Sequence, residues 1–257
     1  MRIVKSSAMK RCFKVLMILF SFLCVSACSN NETAYNTRIV SSEVKPFNVS
    51  EANEEIIKAN VMIFNNNYSE FLGVKYREDN SYGSGVIYKS DDQYYYALTN
   101  NHVVSYDYSY SKHQILVEDC FSNEYVGEVI YSDASYDLAV VRFIRNSELK
   151  VLSLSDDEIK VRDSIRSMGN PDSIKNVINN GMVNCLSYVN LNSEKSKVNF
   201  EVIVHSATIA SGSSGGALLN SDNEIVGITF AGVFDKSGNF ITGYAIPSEK
   251  IIEFLNN

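Results

Sequence analysis

The chain of 257 residues is acidic, with a formal net charge of −7, 45% hydrophobic residues, no tryptophan and only three histidines. That balance argues against nucleic acid or an anionic membrane surface as a partner, because both call for basic patches. Histidines so scattered, without paired cysteines, give no metal site, and no cofactor motif is present.

The N-terminus carries Arg2, Lys5, Lys10, Arg11 and Lys14 with no acidic residue, followed by an apolar run from Val15 to Val25. The run is too short to span a bilayer as a helix and fits the core of a secretion signal over residues 1–27. It ends in Val25-Ser-Ala-Cys28, which resembles the bacterial lipobox. The resemblance implies that Cys28 is lipidated and tethers the protein extracytoplasmically, on the outer face of the cell membrane. Ordinary cleavage near Ala27, with Cys28 incidental, is the plainer alternative. Of the five cysteines, only Cys120 and Cys185 remain beyond Cys28, and buried free thiols are expected there rather than a pair.

Residues 28–57 read as a polar tether that ends in a short helix. Ser50 is placed to cap it, and Glu51, Glu54 and Glu55 favour its first turns. The remainder is rich in short β-branched and aromatic runs separated by Asn, Asp, Ser and Gly. Strands are expected at 61–64, 71–75, 85–88, 94–99, 114–117 and 138–143. A second set is expected at 164–168, 180–184, 199–204, 216–219, 225–229 and 242–246, with a terminal helix over 247–255. Such a pattern suits a sandwich or a barrel without choosing between them.

Three segments carry chemistry, in this order: Thr99-Asn-Asn-His-Val-Val104, Tyr136-Asp-Leu-Ala-Val-Val141 and Ser211-Gly-Ser-Ser-Gly-Gly-Ala-Leu218. A serine hydroxyl attacks poorly at neutral pH unless a base takes its proton, and imidazole is suited to that task. His102 is the candidate base, Asp137 the group that fixes its tautomer, and Ser214 the nucleophile. Asp133 competes with Asp137, but only Asp137 directly precedes the apolar run. His113 and His205 are expected to be structural or exposed.

These segments resemble the protease domain of the HtrA/DegP group within the trypsin-like, chymotrypsin-superfamily serine proteases. Gly83-Ser-Gly-Val-Ile87, Ala97-Leu-Thr-Asn-Asn-His-Val-Val104, Ser132-Asp-Ala-Ser-Tyr-Asp-Leu-Ala139, Met168-Gly-Asn-Pro171, Gly212-Ser-Ser-Gly-Gly-Ala-Leu218 and Gly243-Tyr-Ala-Ile-Pro-Ser248 carry the resemblance. It implies an all-β fold of two six-stranded antiparallel barrels, residues 58–150 and 155–257, with the active site between them and a short C-terminal helix. The chain stops about ten residues after the last motif, so no C-terminal PDZ domain is expected.

The resemblance further implies an oxyanion hole built by the backbone of Gly212, Ser213 and Ser214. A substrate site is implied at Thr208, Phe230, Ala231, Gly232 and Gly243. None of these is charged, which favours a small or medium apolar side chain before the scissile bond. Ser213 stands where trypsin-type zymogens carry an aspartate, so activation by N-terminal cleavage is not expected. The expected partners are polypeptide substrates, unfolded or flexible, and a membrane reached through the lipid; assembly into a homo-oligomer is left open. Two other readings stay in view: a silent peptide-binding pseudoprotease, and a narrow-specificity exported protease of the glutamyl-endopeptidase type.

Overall fold

The computed structural model describes residues 49–257, so the expected signal, Cys28 and most of the tether lie outside the described residues. A short helix, α1 (Val49–Ile56), leads through one 3₁₀ turn into six strands: β1 (Asn60–Phe71), β2 (Val74–Ser90), β3 (Tyr94–Thr99), β4 (Lys112–Glu118), β5 (Glu124–Asp133) and β6 (Leu138–Ile144). They close into an antiparallel barrel in the order β1-β2-β3-β6-β5-β4. Between β3 and β4 lies a single helical turn, α2 (Asn101–Val104).

The second barrel follows: β7 (Ser164–Gly169), β8 (Val177–Asn190), β9 (Asn199–His205), β10 (Ala217–Leu219), β11 (Ile225–Phe234) and β12 (Phe240–Pro247). It closes in the order β10-β11-β12-β9-β8-β7, and α3 (Ser248–Asn256) ends the chain. The all-β architecture expected from the sequence is therefore the one observed.

The expected strand at 71–75 is instead the tip of a long hairpin. Leu72 and Gly73 both take positive φ (50° and 79°) and turn β1 into β2. The missing sixth strand of the first barrel is β5. Along it Tyr125 is buried while Glu124 and Val126 face solvent, and Gly127 occupies an inward position where a Cβ would collide with Ile115 and Val117. A glycine on the inner face erases the alternation by which a strand is read.

Alternation along the buried strands sorts side chains into three packed groups. In β6, Ala139 and Val141 fill the first barrel, whereas Leu138 and Val140 point to a layer shared with the second. In the second barrel Leu218 and Ala245 face inward, whereas Ala217, Leu219 and Ile246 join that shared layer. Because successive strand residues point to opposite faces, an unbroken apolar run here means burial on both sides.

The helix α3 closes the shared layer. Its Phe254 is fully buried and stacks on Tyr131 of the first barrel, with ring centroids 4.7 Å apart. Ile56 of α1 reaches the same layer. Cys120 is half-buried and Cys185 exposed, and both are free, so Cys185 is not the buried thiol expected. The Phe254→Ala variant should lose about 3–5 kcal/mol in urea unfolding, the usual cost of an aromatic-sized cavity. A loss below about 1 kcal/mol would show that α3 does not help hold the barrels together.

Candidate active site

The turn α2 exists to present one side chain. Asn100, Asn101 and His102 leave β3 at the edge of the shared layer, where Val103 and Val104 bury themselves against the first barrel. The three polar residues then have separate partners. Asn100 Nδ2 donates to the Asp137 carbonyl at 2.9 Å, and Asn101 Nδ2 to the Lys195 carbonyl at 2.7 Å. The backbone N–H of His102 donates to Asp137 Oδ1 at 3.0 Å, and its ring Nδ1 lies 2.8 Å from Oδ2.

Asp137 sits at positive φ (53°), a conformation that aspartate tolerates better than most residues. Its side chain is 1% exposed, against 30% for His102. The imidazole is thus held from behind by a buried carboxylate, with Nδ1 the protonated nitrogen and Nε2 left free toward the cleft. Asp133, the competing acid, spends its carboxylate on the N–H of Ser135 and takes no part.

Ser214 lies on the turn before β10. Its carbonyl accepts from the Ser84 N–H of β2 at 2.7 Å, joining the two barrels beneath the cleft. Its hydroxyl is directed to the Phe230 carbonyl, 3.5 Å away, and not to His102.

Gly212 takes φ +91°, and a Cβ there would lie 2.4 Å from the Tyr82 ring and 2.7 Å from the Asn170 carbonyl. Gly215, at φ +86°, presses against the Ser84 carbonyl and the Thr99 hydroxyl, so neither position admits a side chain. Ser213, which stands between the two expected oxyanion donors Gly212 and Ser214, is engaged within the turn. The N–H of Ser213 is bonded to the Ala210 carbonyl at 3.0 Å and is not free for an incoming anion. Its hydroxyl accepts from the Ala210 N–H at 3.1 Å, so this residue stabilises the turn locally.

The candidate substrate residues fall along β11 and β12. Only Ile225–Ile228 of β11 pair with β10, so Phe230, Ala231 and Gly232 keep one edge without a strand partner among the described residues. Gly232 faces Gly243 in register, and the His205 ring lies behind Gly243. Thr208 is exposed, its carbonyl is held by Ser167 Oγ and Asn179 Nδ2, and it lines a small hollow with Ile209, Ser213 and Thr229. The neighbouring Ile209, buried, lies against Gly232.

A second feature had no sequence signal. The polar loop Leu191–Val198 between β8 and β9 crosses to the first barrel, where Asn101 holds Lys195 and the Lys197 N–H donates to the Ala134 carbonyl at 2.7 Å. It walls a cleft of about 510 Å³ with His102, Phe230 and Ala231.

Residues 83–228, spanning all three segments, match the model for the trypsin-like peptidase domain. The chain belongs to that family. A probable periplasmic serine endoprotease, DegP-like, from Buchnera aphidicola subsp. Baizongia pistaciae is 29% identical over 95% of this chain and 55% of its own length. The periplasmic serine endoprotease DegP of Escherichia coli is 32% identical over 66% of this chain and 34% of its own. This peptidase domain chain thus spans about half the length of the first relative and a third of the second. Among solved structures, the HtrA-type protease AlgW with a decapeptide aligns with a TM-score of 0.63 and 26% identity, over 81% of this chain and 67% of that one.

His113 is half-buried and bonded at 3.0 Å to Asn65, whose Nδ2 in turn donates to the Val103 and Ser105 carbonyls. His205 is fully buried, and burial pushes its imidazole down to about 4, offset only in part by the Ala207 backbone. An unfolded histidine titrates near 6.5, so the unfolded chain binds more protons between these values. The stability that His205 contributes is complete above about pH 6.5 and is lost as the pH falls through 4, by about 3 kcal/mol in all. In urea unfolding across that window, the His205→Leu variant should show a shallower pH slope than the parent. An equal slope would place the titration elsewhere.

Proposed function

We propose that the protein is a serine endopeptidase that cuts unfolded or flexible polypeptides outside the cytoplasm. The observation that carries the reading is the buried Asp137 carboxylate bonded to His102 Nδ1, on the barrel facing the Ser214 turn. In the reaction, the Ser214 hydroxyl rotates from the Phe230 carbonyl to His102 Nε2, which removes its proton as Oγ attacks the scissile carbonyl. Asp137 keeps Nδ1 protonated and stabilises the imidazolium that forms.

The negative charge on the tetrahedral oxygen falls to the N–H groups of Gly212 and Ser214, Ser213 being engaged elsewhere. The imidazolium returns its proton to the leaving amine, and the C–N bond breaks to leave an acyl-Ser214. Water, deprotonated by His102, then hydrolyses the ester and frees the serine.

The bare edge at Phe230–Gly232 suits an extended segment added as a strand, which a folded protein rarely offers. Ile209 against Gly232 makes an apolar wall, favouring a small or medium aliphatic residue such as Val, Ala or Leu before the cleaved bond. His205 is sealed away and uncharged near neutrality, so it offers no counter-charge for glutamate and counts against the glutamyl-endopeptidase reading. A lipid on Cys28 would keep the enzyme at the outer face of a membrane, in quality control or surface-protein processing.

The test is labelling of the full chain by a fluorophosphonate serine-hydrolase probe, beside casein cleavage. The parent should react, and Ser214→Ala and His102→Ala should not; a folded parent that neither labels nor cleaves would make it a peptide-binding pseudoprotease. The Asp137→Asn variant should lower kcat by about 10⁴-fold, through loss of the correct tautomer. A loss under tenfold would remove Asp137 from the mechanism.

A further inference from the structure

The segment Gly83-Ser-Gly-Val-Ile87 is part of the family resemblance, yet the mechanism above uses none of its side chains. Ser84 is fully buried on β2, and every polar atom it owns has a partner, its N–H and hydroxyl across the barrel interface. Its N–H donates to the Ser214 carbonyl, and its carbonyl accepts from Thr99 Oγ1 at 2.7 Å. Its hydroxyl donates to the Gly212 carbonyl at 2.7 Å. That hydroxyl also receives the Asn170 N–H at 2.8 Å and Asn170 Nδ2 at 3.2 Å.

A hydroxyl has one hydrogen and two acceptor sites. Asn170 fills both acceptor sites, so the hydrogen has one destination, the carbonyl of Gly212. Asn170 cannot turn away to release it. Its Nδ2 also donates to the Val61 carbonyl at 2.9 Å, and its Oδ1 accepts from Asn60 Nδ2 at 2.8 Å. On the other side of Gly212, the Asp172 N–H holds the Ser211 carbonyl at 2.6 Å.

Peptide planes carry N–H and C=O in opposite directions, and glycine lets either flanking plane rotate at little cost. The Gly212 N–H lies in the Ser211–Gly212 plane; if rotation about Gly212 turned that plane over, the Ser211 carbonyl, negative end first, would come to the place where the oxyanion forms. We propose that Ser84 is a positioning residue for the proteolytic reaction: its hydroxyl fixes the Gly212–Ser213 peptide and Asp172 fixes the Ser211–Gly212 peptide, so both dihedrals of Gly212 are held and its N–H stays aimed at the oxyanion. The inference rests on the serine-endopeptidase reading above.

The test compares the full-length parent with Ser84→Ala and with Ser84→Cys, which fills the same space with a much weaker donor. Urea unfolding reports folding, fluorophosphonate labelling reports the nucleophile, and casein cleavage supplies kcat and KM. Losing an oxyanion donor outright costs about 10²–10³ in kcat. Loss of the lock should cost less, roughly 10- to 100-fold in kcat and in labelling rate, with KM within about threefold of the parent. If Ser84→Ala fails to fold, the same split in Ser84→Cys decides. A folded variant with parental kcat and labelling rate, or one whose loss lies in KM alone, overturns the role of Ser84 and leaves the protease reading intact. An unreactive parent overturns the protease reading itself, and this inference with it.

Discussion

A carboxylate removed from water must be paid for in hydrogen bonds, and the site is organised around one such group. Asp137 is buried where β6 begins, at a backbone angle that most residues avoid. An isolated ion there would cost several kcal/mol. One residue, His102, answers both oxygens, Oδ1 through its main chain and Oδ2 through its ring. The geometry that stabilises the buried acid is therefore the geometry that fixes the imidazole. The two asparagines before His102 extend the constraint: Asn100 fastens the turn to Asp137, and Asn101 fastens the loop from the second barrel to the turn.

That arrangement demands that two barrels meet without sliding. The shared layer of Leu138, Val140, Ala217, Leu219, Ile246 and Phe254 supplies non-directional adhesion. Register comes from polar contacts that cross the junction, above all Ser84 to Ser214 and the Asn60–Asn170 pair. Apolar burial holds the halves together, and buried hydrogen bonds set where His102 and Ser214 stand relative to each other.

The fold was legible in the sequence wherever a strand alternates or is apolar on both faces. The run Leu138–Val141 and the second-barrel strands β10 and β11 are such cases. It was hidden where the inward residue is Gly127, and where Leu72 and Gly73 turn inside an apolar stretch. The residues expected to carry the chemistry stood out because they lie in short turns that demand unusual residue types, a positive-φ glycine or a capped histidine. The packing of Ile209 on Gly232 did not, because it depends on the course of the turn that follows Thr208. Nor could the loop Leu191–Val198 be read, since its hold on the first barrel uses main-chain groups that any sequence possesses.

The most direct test is the crystal structure of the full chain after reaction with a peptidyl phosphonate. The account predicts phosphorus bonded to Ser214 Oγ and the phosphonyl oxygen within hydrogen-bonding distance of the Gly212 and Ser214 N–H groups. His102 should remain on Asp137, with Nε2 turned to Oγ. An adduct whose oxygen faces solvent, with His102 detached from Asp137, would contradict it.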